Sequence, residues 1–220
     1  MIKKNVKLLI VTTIVILLPI VAGVVLWDQI PEEVPIHWNM QGEVDGWCGK
    51  TFAVFGLPLV LTALQWLMVF ITSVDPKRQN QSAKMRALIF WLVPALCVIF
   101  FGFTYASALG KEVLVNVIVP VFLGVIFVII GNYMPKCKQN YTVGIKIPWT
   151  LNSEENWNRT HRLAGWVWVI GGIVVMLGGF FGFLWLIIPA VLIMAIVPIV
   201  YSYILYRKGI GDKNKDERDE

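Results

Sequence analysis

Few side chains in this 220-residue chain are equipped for chemistry: it holds two histidines and three cysteines. His37, with Glu43 and Asp45 just behind it, could assemble three ligands for a metal ion. Three ligands on one turn are a thin signal, however, and the plainer reading is a hydrogen-bonded loop resting on lipid headgroups. No metal is expected. His161 sits in Trp157-Asn158-Arg159-Thr160-His161-Arg162, where an interfacial anchor would also place Trp at headgroup depth and Arg on phosphate. The sequence has no CxxC spacing, and the topology derived below separates Cys48, Cys97 and Cys137, so no disulfide follows. No catalytic residue and no cofactor is expected.

The elements that must position these residues are set by lipid. Hydrophobic residues make up 57% of the chain and charged ones 15%, with a mean hydropathy of +0.70. A water-soluble domain of this size needs roughly a quarter charged residues. No Asp, Glu, Lys or Arg occurs in 8–27, 51–74, 87–110, 113–135 or 163–206. Each of the first four matches one crossing of about 30 Å of hydrocarbon. As one helix the last would be roughly 66 Å long, so it must fold back. The Gly-rich stretch Gly178 to Gly182 is the expected turn. The reading is an all-α membrane protein with six transmembrane helices. The first block lacks a small-x-small cleavage site before Trp27 and reads as an uncleaved helix rather than a signal peptide.

Lys and Arg in short loops stay on the cytoplasmic side. With both termini cytoplasmic, all of the 19 Lys and Arg residues except Lys50 and Lys111 lie inside. The outer segments are instead acidic, with Asp28, Glu32, Glu33, Glu43, Asp45 and Glu112. The net charge of +5 is spread over several inner segments facing anionic lipid, and no direct nucleic-acid contact is expected. The spans hold only modest polarity, notably Gln65, Thr62, Thr104, Tyr105, Ser107, Asn116 and Asn132. A proton-coupled transporter or an intramembrane protease would show buried carboxylates, histidines or a paired nucleophile there. Function therefore moves to two connections, an outer loop at 28–50 and an inner loop at 136–162.

The outer loop has glycines at 42 and 46 and should be compact and turn-built. In the inner loop Asn152 or Ser153 can cap a helix whose first turn holds Glu154 and Glu155. Trp157, His161, Ala164 and Trp168 then recur at helical spacing, forming one stripe. Six prolines, Pro19, Pro58, Pro94, Pro120, Pro189 and Pro198, lie in spans. Each frees a carbonyl that lipid cannot satisfy and a neighbouring helix or a cavity must. The expected divisions are 1–74, 75–206 and a disordered charged tail at 207–220.

At the two loops the chain resembles the SdpI family, bacterial membrane proteins named for an immunity protein against a secreted killing peptide. The outer match runs through Ile30-Pro31, His37-Trp38-Asn39, Gly42-Glu43, Asp45-Gly46-Trp47 and Lys50, and is similar to a short N-terminal domain of unknown function, DUF1648. The inner match, more specific because many ordered positions agree, runs from Gly144 through Pro148-Trp149-Thr150-Leu151 to Trp157, Thr160-His161-Arg162 and Gly165. The resemblance implies a multi-pass protein of the bacterial cell membrane that protects a toxin-producing cell from its own membrane-active peptide. A hydrophobic peptide arriving from outside would meet the acidic outer loop, so these outer residues are expected to bind the toxin or another partner. The inner residues are a structural signature, or meet a small DNA-binding repressor held at the membrane. Two rivals stay open: a small-molecule or lipid transporter, and a membrane enzyme using His161 or the His37 cluster.

Overall fold

The structure, a computed structural model, describes residues 5–210. Lys3, Lys4 and positions 211–220 of the expected charged tail lie outside the described residues.

Lipid offers the backbone no hydrogen bonds, so each charge-free block closes its own as a helix. In chain order the elements are α1 (Val6–Val25), β1 (Glu33–Trp38), β2 (Val44–Gly49), α2 (Leu57–Val74), α3 (Ala83–Ala108), α4 (Val115–Tyr133), the short α5 (Pro148–Asn152), α6 (Glu154–Phe180) and α7 (Ile187–Arg207). A π-helical turn at Phe52–Gly56 leads into α2. Among the described residues six helices, all but α5, are long and apolar enough to cross a membrane. Val25, Trp66, Phe70 and Trp185 are more than half exposed, as side chains facing acyl chains should be.

The long last block does fold back. Its turn falls slightly later than the glycines predict, because α6 runs through Gly178 and Gly179 to Phe180. Only Gly182, at φ +77°, supplies the left-handed angle of the reversal. A Cβ on Gly179 would strike Pro120 of α4, so that glycine serves close helix packing within α6.

The chain divides into two compact units, one of 1–74 with 83–116 and one of 75–82 with 117–220. In the first, α1, α2 and α3 carry the antiparallel β1–β2 hairpin on the connection between α1 and α2. The all-α reading did not foresee this hairpin. In β1 Val34 and Pro35 are buried and Ile36 and Trp38 half-buried, while Glu33 and His37 are exposed; β2 alternates residue by residue. Val34 and Ile30 join Ile16, Ala53, Val54, Cys97, Phe101 and Tyr105 in one core. For a loop that begins in water, burying each such aliphatic chain contributes about 1.5–3 kcal/mol.

Within lipid, apolar burial drives little, so helix association rests on packing and hydrogen bonds. Tyr105 donates to the Pro19 carbonyl at 2.8 Å, and Trp66 donates to the Thr13 hydroxyl at 3.0 Å. In the second unit, Gly165, Gly172 and Gly179 recur every seventh residue on α6 and lie against α4. A Cβ on Gly172 would come within 2.7 Å of the Gly124 carbonyl, and one on Gly131 within 2.9 Å of the Gly165 carbonyl. The two backbones therefore meet directly, the close approach that small residues permit in membranes.

Two of the carbonyls freed by prolines find the predicted neighbour. Phe90, four residues before Pro94, accepts from Gln65 Nε2 at 2.8 Å. Met194, four before Pro198, accepts from Trp168 Nε1 at 3.0 Å.

Candidate functional site

The hairpin has a seated side and an open side. On the seated side Trp38 meets Phe103 of α3 edge to face, with centroids 6.5 Å apart. Lys50 is 7% exposed. Its ammonium lies 4.6 Å from the Trp27 ring centroid and 3.6 Å from the Glu32 carboxylate, while its backbone N–H donates to Glu32 O. Lys50 thus pins the base of the hairpin through its aliphatic stem and its charge.

The open side is acidic. His37 Nδ1 and Asp45 Oδ1 are 2.5 Å apart, and Gly46 lies opposite His37, where a Cβ would come within 2.9 Å of that of His37. Asn39 organises the tip. Its Oδ1 accepts from the backbone N–H groups of Gln41 and Glu43, its Nδ2 donates to the Glu43 carboxylate, and Gly42 turns at φ +84°. Glu43 is therefore engaged with Asn39, apart from the His37–Asp45 pair. Among the described residues no group of three His, Cys, Asp or Glu side chains could hold a metal ion. Met40 and Trp47 are about half exposed between these carboxylates. The surface is anionic with apolar contacts set into it.

In the second unit the long connection between α4 and α6 is held by hydrogen bonds to one end of α6. Ser153 caps that end, its hydroxyl accepting from Asn156 N–H at 3.0 Å. Three faces of the first turns then do separate work. On one face, Trp157 and His161 stack with centroids 4.0 Å apart. Trp157 Nε1 donates to Cys137 O at 2.6 Å, His161 Nδ1 lies 2.9 Å from Trp157 O, and Ile145 N–H donates to His161 Nε2 at 3.0 Å. These partners fix the tautomer, with Nδ1 protonated and Nε2 accepting. The ring is 1% exposed, so neither nitrogen is left for acid–base work. Gly144 passes directly under this stack at φ +117°, where a Cβ would collide with the imidazole and the Trp157 ring.

On the second face, Asn156 binds α7 by donating to Ser202 O at 3.0 Å and accepting from the Ser202 hydroxyl at 2.6 Å. Thr160 donates to the same Asn156 Oδ1. On the third face Arg162 is exposed, beside Arg159. Gly165, one turn deeper, packs against Pro135.

The connection itself is braced by α5. Pro148 opens this helix, and the buried Thr150 hydroxyl bridges Ile145 O, Ile147 O and Ile147 N–H. Trp149 packs on Tyr203 and Tyr206 of α7. Leu151 O, with Thr150 O, accepts from Gln139 Nε2. Gln139 Oε1 in turn accepts from Lys77.

The residues that sequence reasoning passed over are polar and buried. Asp75, 4% exposed, accepts from Lys77 N–H at 2.7 Å, from Tyr141 N–H at 3.0 Å and from the Thr142 hydroxyl. Asn140 Oδ1 accepts from Thr142 N–H and Val143 N–H, and its Nδ2 reaches Cys137 Sγ at 3.4 Å. Burial pushes the Cys137 thiol up to about 11, while the Asn140 contact pulls it the other way. A sequence signal for Asp75 did exist: it is the one acid on a connector carrying Lys77, Arg78, Lys84 and Arg86, and it precedes a proline.

Residues 136–202 match the SdpI/YfhL protein family, and residues 14–62 match a domain of unknown function, DUF1648. The immunity protein SdpI of Bacillus subtilis (strain 168) is 26% identical over 217 residues, which cover 96% of this chain and 100% of that protein. No solved structure matches the chain. Two family segments in chain order, together with a relative aligned over its whole length, make this chain similar to the SdpI/YfhL family, and its six long apolar helices make it a multi-pass membrane protein.

Proposed function

We propose that this chain protects a bacterium against a secreted, membrane-active toxin peptide, acting from within the cell membrane. The observation that carries this reading is the end-to-end likeness to an immunity protein. The Lys and Arg distribution supports cytoplasmic termini, and with that orientation the hairpin faces the peptide. Glu33, Glu43 and Asp45, with Met40 and Trp47 between them, suit a cationic peptide with an apolar side. The connection from 136 to 153 then faces the cytoplasm, where exposed Lys136, Lys138 and Lys146 offer a soluble repressor a basic surface.

Expression of the chain in a sensitive cell, challenged with a panel of secreted membrane-active peptides, tests the reading. Protection against one or more of them is expected. Unchanged killing across the panel, with the protein present in the membrane, would remove it. The repressor role has its own test: a fluorescent repressor encoded beside this gene should move to the membrane on toxin exposure only when this chain is present.

A further inference from the structure

We propose that the groove between α6 and α7 is a binding site for the headgroup of one anionic phospholipid. Asn158, Arg159, Arg162, Leu163, Trp166 and Tyr201 line a groove of about 580 Å³. None of this lining takes part in the hydrogen bonds that hold the 136–153 connection, so the groove is chemically separate from that lock.

Three observations select the ligand. The first is charge. Arg159 is paired with Glu155 at 2.6 Å, whereas Arg162 makes no hydrogen bond or ion pair with another described residue. The triad of Glu155, Arg159 and Arg162 therefore carries one uncompensated positive charge, which a single anionic phosphate diester neutralises. Guanidinium suits it, presenting paired N–H donors to two phosphate oxygens.

The second is depth. Arg162 is the last charged residue before the apolar run that starts at Leu163, so its guanidinium stands where acyl chain gives way to headgroup. A soluble anion would not require that position. The third is the wall of the groove. Leu163 and the exposed Trp166, 68% accessible, continue it toward the apolar part of the helix, while half-buried Tyr201 comes from α7. Trp and Tyr favour this interfacial level, and basic pockets between spans bind lipid headgroups.

The test is native mass spectrometry of the full detergent-solubilised chain titrated with phosphatidylglycerol or phosphatidylcholine. One phosphatidylglycerol per chain is expected, retained at least tenfold more tightly than phosphatidylcholine and weakened by raising salt from about 0.1 to about 0.5 M, which shortens the Debye length about twofold. The pair Arg159→Gln and Arg162→Gln should abolish that preference and leave phosphatidylcholine retention unchanged. Equal retention of the two lipids by the natural chain would overturn the proposal, as would an unchanged preference in the folded double variant. Displacement of the bound lipid by millimolar inorganic phosphate would also overturn it, assigning the groove to a soluble anion. The lipid comparison on the natural chain decides the matter even if the double variant fails to fold.

Discussion

Gln65 on α2 donates its amide to the carbonyl of Phe90 on α3 at 2.8 Å, and that carbonyl is the one Pro94 leaves without its helical partner. An unpaired carbonyl in lipid costs several kcal/mol, so proline and glutamine form a matched pair across two spans. The second unit repeats the device with different chemistry, Trp168 serving the carbonyl freed by Pro198.

Gln65→Leu should therefore lower stability by about 1–3 kcal/mol, the penalty of a buried acceptor left unmade. Pro94→Ala restores a backbone N–H for Phe90 O, so the same Gln65→Leu change should cost markedly less in that background. Thermal unfolding of the four variants in one detergent reads the cycle. Additive effects would mean that the amide serves some purpose other than replacing the missing N–H.

How far the sequence discloses this molecule depends on the kind of force involved. The six spans were legible because lipid admits no alternative to a closed backbone, and a charge-free block states that constraint outright. The proline problem was legible too, although not its solution, since nothing in local spacing pairs Gln65 with Phe90. The hairpin was missed because Val34, Ile36 and Trp38 alternate over too few residues, with prolines nearby, to stand out in a helical chain. The glycine seam of α6 was visible as a seven-residue spacing, but attention falls first on the shorter Gly178-to-Gly182 spacing, which belongs partly to the turn. At the site, Trp157, His161 and Gly144 are brought together in one stack, whereas Asp75 reaches the same connection from more than sixty residues away. Long-range polar contacts of that kind leave only compositional traces.

Gly144→Ala tests the stack sterically. Positive φ costs a side chain about 1–2 kcal/mol, and the collision with His161 and Trp157 adds an overpacking cost of about 1–3 kcal/mol. The expected result is a large fall in the unfolding midpoint and in folded yield. Gly102→Ala is the control: nothing lies within 4 Å of its Cβ position, and in a helix alanine is worth about 0.5–1 kcal/mol over glycine. If both variants behaved alike, crowding beneath the stack would be refuted.

Cys137 offers a chemical reading of the same region. An ordinary thiol ionises near 9, whereas burial moves this one to about 11, so at pH 8 it holds about a hundredfold less thiolate than an exposed cysteine. In a Cys48→Ser, Cys97→Ser background, iodoacetamide should label the folded chain slowly at pH 8, with the rate climbing steadily toward pH 10. The stability linkage has the same sign. The protonated thiol's contribution is complete below pH 9 and is lost as pH rises through about 11, because the unfolded chain ionises first. Fast labelling at pH 8 in the folded protein would show the connection open around Cys137.

The sharpest separation of roles is available at His161. Its imidazole gives one nitrogen to Trp157 O and takes a hydrogen bond from Ile145 on the other, so its task here is to close the connection against α6. His161→Phe preserves the stack on Trp157 and removes both polar contacts, leaving the Ile145 N–H without its acceptor at about 1–3 kcal/mol, while Trp157 O keeps its helical bond. His161→Gln restores some hydrogen-bonding capacity and should recover part of that loss. Protection against toxin should follow the amount of folded protein across the natural chain, the Gln variant and the Phe variant. Quantitative immunoblotting of membranes beside survival curves measures both. An acid–base role would instead abolish protection in both variants while membrane levels and unfolding midpoints stayed unchanged, and that outcome would return His161 to the list of reacting groups.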